Sequence, residues 1–209
     1  MRYLALGDSF TIGTGTTPDR SFPAAMARSW KRGGLDCELS NPAVNGFTTD
    51  DLIRAELPLV ERFVPDLVTV LIGANDLVAA LRNERAVTAA AEERYRGQLR
   101  RIHQRIAAGA PAARRFALPQ PDWSLTPAGA AFGDPASIAR SIERFNEIAR
   151  DEIALAGGAY VDIFPLMREQ MRRGMTAPDG LHPSAEAYAA WADALLNVLS
   201  PPEAARSEG

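Results

Sequence analysis

Short apolar runs of strand length recur at Tyr3 to Leu6, Asp36 to Leu39, Leu67 to Ile72, Arg115 to Leu118 and Ala159 to Ile163. Between them lie longer segments with helical spacing, and strands that alternate with helices predict a parallel sheet covered by helices. Ser21 caps the first helix, with Pro23 in its opening turn and Gly33-Gly34 at its end, and Thr48 or Asp50 caps the next. The longest periodic stretch, about Glu84 to Ala108, repeats Ala91, Tyr95, Leu99, Ile102 and Ile106 at three or four residues and reads as one amphipathic helix. Another spans about Pro135 to Leu155 on Ile138, Ile142, Phe145, Ile148 and Ala149, and a last one runs from about Ser184 to Leu199, where Ser200-Pro201-Pro202 stops it.

No repeat or composition shift divides the chain, so residues 1–200 are expected to form one domain and residues 201–209 a flexible tail. The Pro- and Gly-rich stretch from Pro119 to Pro135, with Trp123 and Phe132, is a long loop of the kind that is either functional or disordered.

Composition narrows the chemistry. A chain of 209 residues, 46% apolar and 23% charged, can bury one sizeable core, and a net charge of -3 with scattered arginines offers no basic face for nucleic acid. No stretch of 18 apolar residues is present and MRYLALGDSF lacks the regions of a secretory signal, so the expectation is a soluble, cytoplasmic protein without membrane insertion. Cys37 is the sole cysteine, expected as a small buried hydrophobe, which excludes an intrachain disulfide and a cysteine metal cluster. Lys31 is the sole lysine and follows no phosphate-binding glycine loop. The oligomeric state is left open.

Two histidines limit the choice of general base at neutral pH. His103 falls inside the long helix beside Arg101 and Arg105, the setting of an exposed or partly packed helix residue. His182 follows Asp179 in a loop with Pro and Gly before the last helix; a carboxylate three residues before an imidazole, across a turn, can accept the ring N–H and fix its tautomer. Ser9 comes directly after the first apolar run, with Gly7 permitting a tight turn, and a serine there needs an adjacent base to act as nucleophile. Asn75 follows the third run and Gly46 the second, and an Asn amide with main-chain N–H groups is the donor set of an oxyanion hole. Singly, each residue fits ordinary capping or turn chemistry. Together they sit after the carboxyl ends of strands, and in a doubly wound sheet of order 2-1-3-4-5 the ligand crevice opens where strands 1 and 3 diverge, after which Ser9 and Asn75 come.

These residues resemble the four blocks of the SGNH, or GDSL, hydrolase family. GDSF at Gly7 to Phe10 is similar to the serine block, NPAVNGFTTDDL around Gly46 to the glycine block, GAND at Gly73 to Asp76 to the asparagine block, and DGLHP at Asp179 to Pro183 to the histidine block. GDS and G-x-N-D would each occur by chance in roughly one chain in forty, so both in order with D-x-x-H make coincidence improbable. Phe10 stands where the family more often has Leu or Ile. The resemblance implies a three-layer, flavodoxin-like α/β fold with a five-stranded parallel sheet and helices on both faces. It also implies ester hydrolysis without cofactor: Ser9 as nucleophile, His182 as base oriented by Asp179, and the N–H groups of Ser9 and Gly46 with the Asn75 side chain as oxyanion donors.

The expected substrate is a small or short-acyl ester. Thioesters such as acyl-CoA and acetylated sugars suit the same machinery, and from a different class a flavodoxin-like flavin- or nucleotide-binding module would share the strand and helix alternation. Against that module, GTGTT at Gly13 to Thr17 does not continue into a dinucleotide-binding pattern.

Overall fold

The computed structural model describes residues 1–84 and 87–200. Five parallel strands, β1 (Arg2–Gly7), β2 (Glu38–Ser40), β3 (Leu67–Leu71), β4 (Arg114–Ala117) and β5 (Ala159–Tyr160), form one sheet of order β2-β1-β3-β4-β5. This is the predicted order. β1 and β3 are the longest pair, registered from Tyr3 opposite Leu67 to Gly7 opposite Leu71, and both are buried from β1 residue Tyr3 onward because helices cover the two faces.

The helices are α1 (Ser9–Ile12), α2 (Phe22–Arg32), α3 (Thr49–Ala55), α4 (Pro58–Phe63), α5 (Ala74–Glu84), α6 (Ala89–Gly109), α7 (Pro135–Leu155), α8 (Phe164–Arg172) and α9 (Ala185–Leu199). One group pairs α2 with α9, and the other pairs α6 with α7 and α3. The core they enclose holds Leu4, Leu6, Leu67, Ile102, Ile142, Phe145 and Trp191 with Tyr3, whose ring meets the edge of Trp30 and whose hydroxyl bonds Thr69 at 2.9 Å. Burying each of the large side chains contributes roughly 1.5–3 kcal/mol relative to exposure.

Local chemistry explains the boundaries. Thr48 and Asp51 form a capping box at α3, Asp134 accepts from Ser137 N at α7, and Ser184 accepts from Ala187 N at α9. The predicted helix from Glu84 to Ala108 begins later, at Ala89, because Thr88 caps that turn by accepting from Ala91 N; residues 85 and 86 lie outside the described residues. β2 starts two residues after its predicted position, where Glu38 N donates to Met1 O. β5 keeps only the first two of its five predicted residues, since Asp162 Oδ1 takes the Phe164 N–H and turns the chain into α8. Cys37 is buried, as expected. The predicted tail, 201–209, lies outside the described residues.

Gly7 ends β1 where backbone approaches backbone. A Cβ at this position would collide with Leu71 O and Thr11 Oγ1, and the residue's φ is 158°. Only glycine lets the chain turn here and deliver the next residues to the carboxyl edge of the sheet.

Candidate active site

Ser9 is the first residue of α1, directly beyond β1. Asp8 caps this short helix by accepting from Phe10 N at 3.0 Å, which leaves the Ser9 N–H among the unpaired first-turn donors. Asn75 occupies the first turn of α5, immediately beyond β3. Its Nδ2 donates to Phe47 O at 2.9 Å, one of the two hydrogens that the amide carries. Gly46 lies in the loop between β2 and α3 with φ 87°, a left-handed conformation that favours glycine. Among the described residues no protein acceptor pairs with the N–H of Ser9 or Gly46.

The loop between α8 and α9 carries the fourth block. Thr176 bridges Pro183 in antiparallel fashion and Ala177 N donates to His182 O at 2.7 Å, so the intervening turn is closed on itself. Within it Asp179 Oδ1 accepts from Leu181 N (2.9 Å) and His182 N (3.0 Å), and Oδ2 meets His182 Nδ1 at 2.7 Å. Burial alone would raise the Asp179 carboxyl; the Leu181 N–H, the His182 ring and the His182 N–H outweigh it and hold the group below its ordinary value. The carboxylate is therefore ionised at neutral pH and fixes the imidazole, which is 8% exposed and packs against Phe10 with ring centres 5.4 Å apart.

A cavity of about 160 Å³ joins these elements, lined by Ser9, Asn75 and His182 together with Asn45, Trp123 and Phe132 among others. Gly46 is represented there by its neighbour Asn45 rather than by itself. No hydrogen bond links the Ser9 hydroxyl to the His182 ring, a contact that commonly forms only once substrate is bound. His103 departs from its expected exposure: it is 1% exposed within α6, burial lowers its pKa to about 4, and it does not line the cavity.

Sequence reasoning missed two of the lining residues, Val78 and Arg82, while Ala74 and Leu181 fall inside blocks it singled out. The first two stand three and seven positions after Asn75, on the same face of α5, a signal that needed the helix itself to be recognised. It also left the Pro119 to Pro135 loop open between functional and disordered. The loop is a fixed wall. Trp123 is 2% exposed and donates to Gln120 Oε1 at 3.0 Å, Gln120 N donates to Asn146 at 2.9 Å, and Asp122 accepts from Arg168 at 2.8 Å.

Behind the serine lies a group of acids, Asp8 and Glu56 buried and Asp76 half-buried. Asp76 takes the N–H and hydroxyl of Thr49 (3.0 and 2.5 Å), tying α5 to α3, and Glu56 accepts from Gly7 N at 2.9 Å. Among the described residues Asp8 Oδ2 and Glu56 Oε1 have no hydrogen-bond partner. Burial pushes Asp8 up to about 8 and Glu56 likewise up to about 8, where the charge of Asp8 adds to it. A carboxyl that is protonated when folded and ionised when unfolded stabilises fully below its unfolded pKa and loses that contribution as pH rises through its folded pKa. For Glu56 the loss falls between about 4.5 and about 8. Glu56→Gln, neutral throughout, is expected to gain stability relative to wild type by at least about 1 kcal/mol more at pH 9 than at pH 5. Urea midpoints at the two pH values check this; an identical difference at both contradicts it.

Comparison with known proteins fits this arrangement. Residues 5–190 match the model of the GDSL-like Lipase/Acylhydrolase family. An arylesterase from Vibrio mimicus is 34% identical over 75 residues, 36% of this chain and 38% of that protein, so the match spans well under half of the relative. The crystal structure of TesA superposes with a TM-score of 0.71 at 22% identity, covering 96% of this chain and 99% of that one. An acetylxylan esterase from Geobacillus stearothermophilus does so with 0.72 at 18% identity, covering 94% and 92%. At these identities the two structures speak for a shared fold. The family match spans nearly the whole sheet, all four blocks and the cavity they line, and the chain belongs to the GDSL-like lipase/acylhydrolase family.

Proposed function

We propose that the protein is a serine esterase in which Ser9 is the nucleophile, His182 the general base and acid, and Asp179 the group that orients His182. The observation that carries this reading is the 2.7 Å contact between Asp179 Oδ2 and His182 Nδ1, on a ring that shares one cavity with Ser9 and Asn75. Membership of an acylhydrolase family directs the chemistry to acyl bonds and speaks against the flavin- or nucleotide-binding alternative.

In the first half-reaction His182 Nε2 removes the Ser9 proton as Oγ bonds to the ester carbonyl carbon, and the carbonyl π electrons move onto oxygen. That oxyanion is met by the N–H groups of Ser9 and Gly46 and by Asn75 Nδ2. Collapse of the intermediate breaks the C–O bond to the alcohol, which takes the proton from His182. Water then attacks the acyl-serine by the same route, releasing the acid and restoring Ser9. The ionised Asp179 stabilises the imidazolium at each stage.

The substrate in this reading is a short-acyl ester. A cavity of about 160 Å³ is smaller than the several hundred Å³ of drug-sized sites, and the edge-on pair Trp123 and Phe132 forms part of its wall. A series of 4-nitrophenyl esters from acetate to dodecanoate, run beside acyl-CoA and an acetylated sugar, tests it. The expected result is the highest kcat/KM at acetyl to butyryl, with the longest chains at least about tenfold lower, the order of one or two misplaced methylenes. A maximum at the longest acyl chain overturns the short-chain reading.

A further inference from the structure

The cavity has two differently built ends. Near Ser9 and Asn75 it offers hydrogen-bond donors, and two turns farther along α5, about 10 Å by helical rise, it ends on Arg82. Among the described residues that line the cavity, Arg82, itself exposed to solvent, is the one with a fixed charge, and none is a carboxylate. Its guanidinium carbon lies 5.3 Å from the centre of the Phe132 ring. Phe132 meets the ring of Trp123 edge-on at 5.6 Å, and Trp123 is anchored through Gln120 to α7. Among the described residues no acid pairs with Arg82, whereas Arg144 pairs with Glu92 at 2.8 Å and Arg168 with Asp122 at 2.8 Å.

A guanidinium held over an aromatic face keeps its in-plane N–H groups available, and that fork matches the two oxygens of a carboxylate. Because the ring beneath it is already fixed, less side-chain freedom is lost on binding an anion than for an arginine on open surface. We propose that Arg82 is a specificity-determining residue that selects esters carrying a carboxylate on the arm that enters this cavity. The inference rests on the reading of Ser9 as the nucleophile of an esterase. An arginine that merely solvates the outer face of α5 would give no discrimination by substrate charge.

Two pairs of esters that differ by one charge test this. In the first, 4-acetoxybenzoate against its methyl ester, the carboxylate sits on the alcohol side; in the second, monophenyl glutarate against phenyl methyl glutarate, it sits on the acyl side. The readout is the ratio of kcat/KM, anionic over neutral, in wild type, Arg82→Gln and Arg82→Glu, a ratio that cancels any general loss of active protein. In at least one pair the ratio is expected to fall by about ten- to a hundredfold from wild type to Arg82→Glu, through KM, with Arg82→Gln between, as for loss of a hydrogen bond to a charged group. The pair that responds identifies the arm. Ratios equal in all three proteins for both pairs overturn the proposal while leaving the esterase intact; no turnover of either neutral ester by wild type would instead defeat the reading on which it rests.

Discussion

Ser9→Ala is expected to abolish hydrolysis of 4-nitrophenyl acetate, with kcat at least about a thousandfold lower, because removal of the attacking atom disables base and orienting acid together. The protein should stay folded. The turn that positions residue 9 is set by Gly7, by the Asp8 cap on Phe10 N and by main-chain bonds from Thr11 and Ile12 to Asp8 O, none of which uses the serine hydroxyl. Stability within about 1 kcal/mol of wild type is therefore expected, the range for a substitution that creates neither a large cavity nor an unpaired buried group. Near-normal turnover by a folded Ser9→Ala protein would remove Ser9 from the mechanism.

Asn75→Ala is expected to lower kcat by about 10² to 10³, or roughly 3 to 4 kcal/mol of transition-state stabilisation, the cost of one oxyanion donor. The effect should appear in kcat and kcat/KM alike, since the donated charge exists only in the tetrahedral intermediate. A stability cost accompanies it. The same amide donates to Phe47 O at 2.9 Å and so ties the start of α5 to the loop that carries Gly46, and losing such a bond costs about 1 kcal/mol. A tenfold loss or less in kcat, or a loss confined to KM, contradicts the oxyanion role.

Sheet order and candidate site were legible for different reasons. Leu67 to Ile72 reads as a strand because its apolar run is continuous, and its observed pairing with β1 follows from the α/β alternation. The serine, glycine and asparagine blocks fall at the carboxyl edge because the chain turns toward a helix after β1, β2 and β3 there, whereas the histidine block reaches it from the loop between α8 and α9. What failed to show was mostly long-range. His103 looked like a surface residue beside Arg101 and Arg105, yet the packing of α6 on α7 buries it, and the acid that pairs with the same helix, Glu152, bonds Arg96 and Arg100 from about fifty residues away.

The helix α5 went unread because its Gly-Ala-Asn-Asp opening resembles a turn, so the cavity residues Val78 and Arg82, which follow Asn75 along one helix face, were invisible. The wall formed by Trp123 and its neighbours depends on partners in α7 and α8, Asn146 and Arg168, that no local pattern in the Pro119 to Pro135 loop reveals. Asp8, Glu56 and Asp76 converge only when β1, α3 and α5 meet, which is why this set of acids behind the serine could not be read from three separate stretches of sequence.

The central claim, that Ser9 is a nucleophile activated by His182 and Asp179, is tested most directly by treating the protein with a fluorophosphonate and locating the adduct by peptide mass spectrometry. The expected result is one stoichiometric adduct on Ser9, formed in step with loss of esterase activity and strongly slowed in His182→Ala. Full esterase activity after exhaustive treatment, or inactivation with the adduct on another residue, would contradict it.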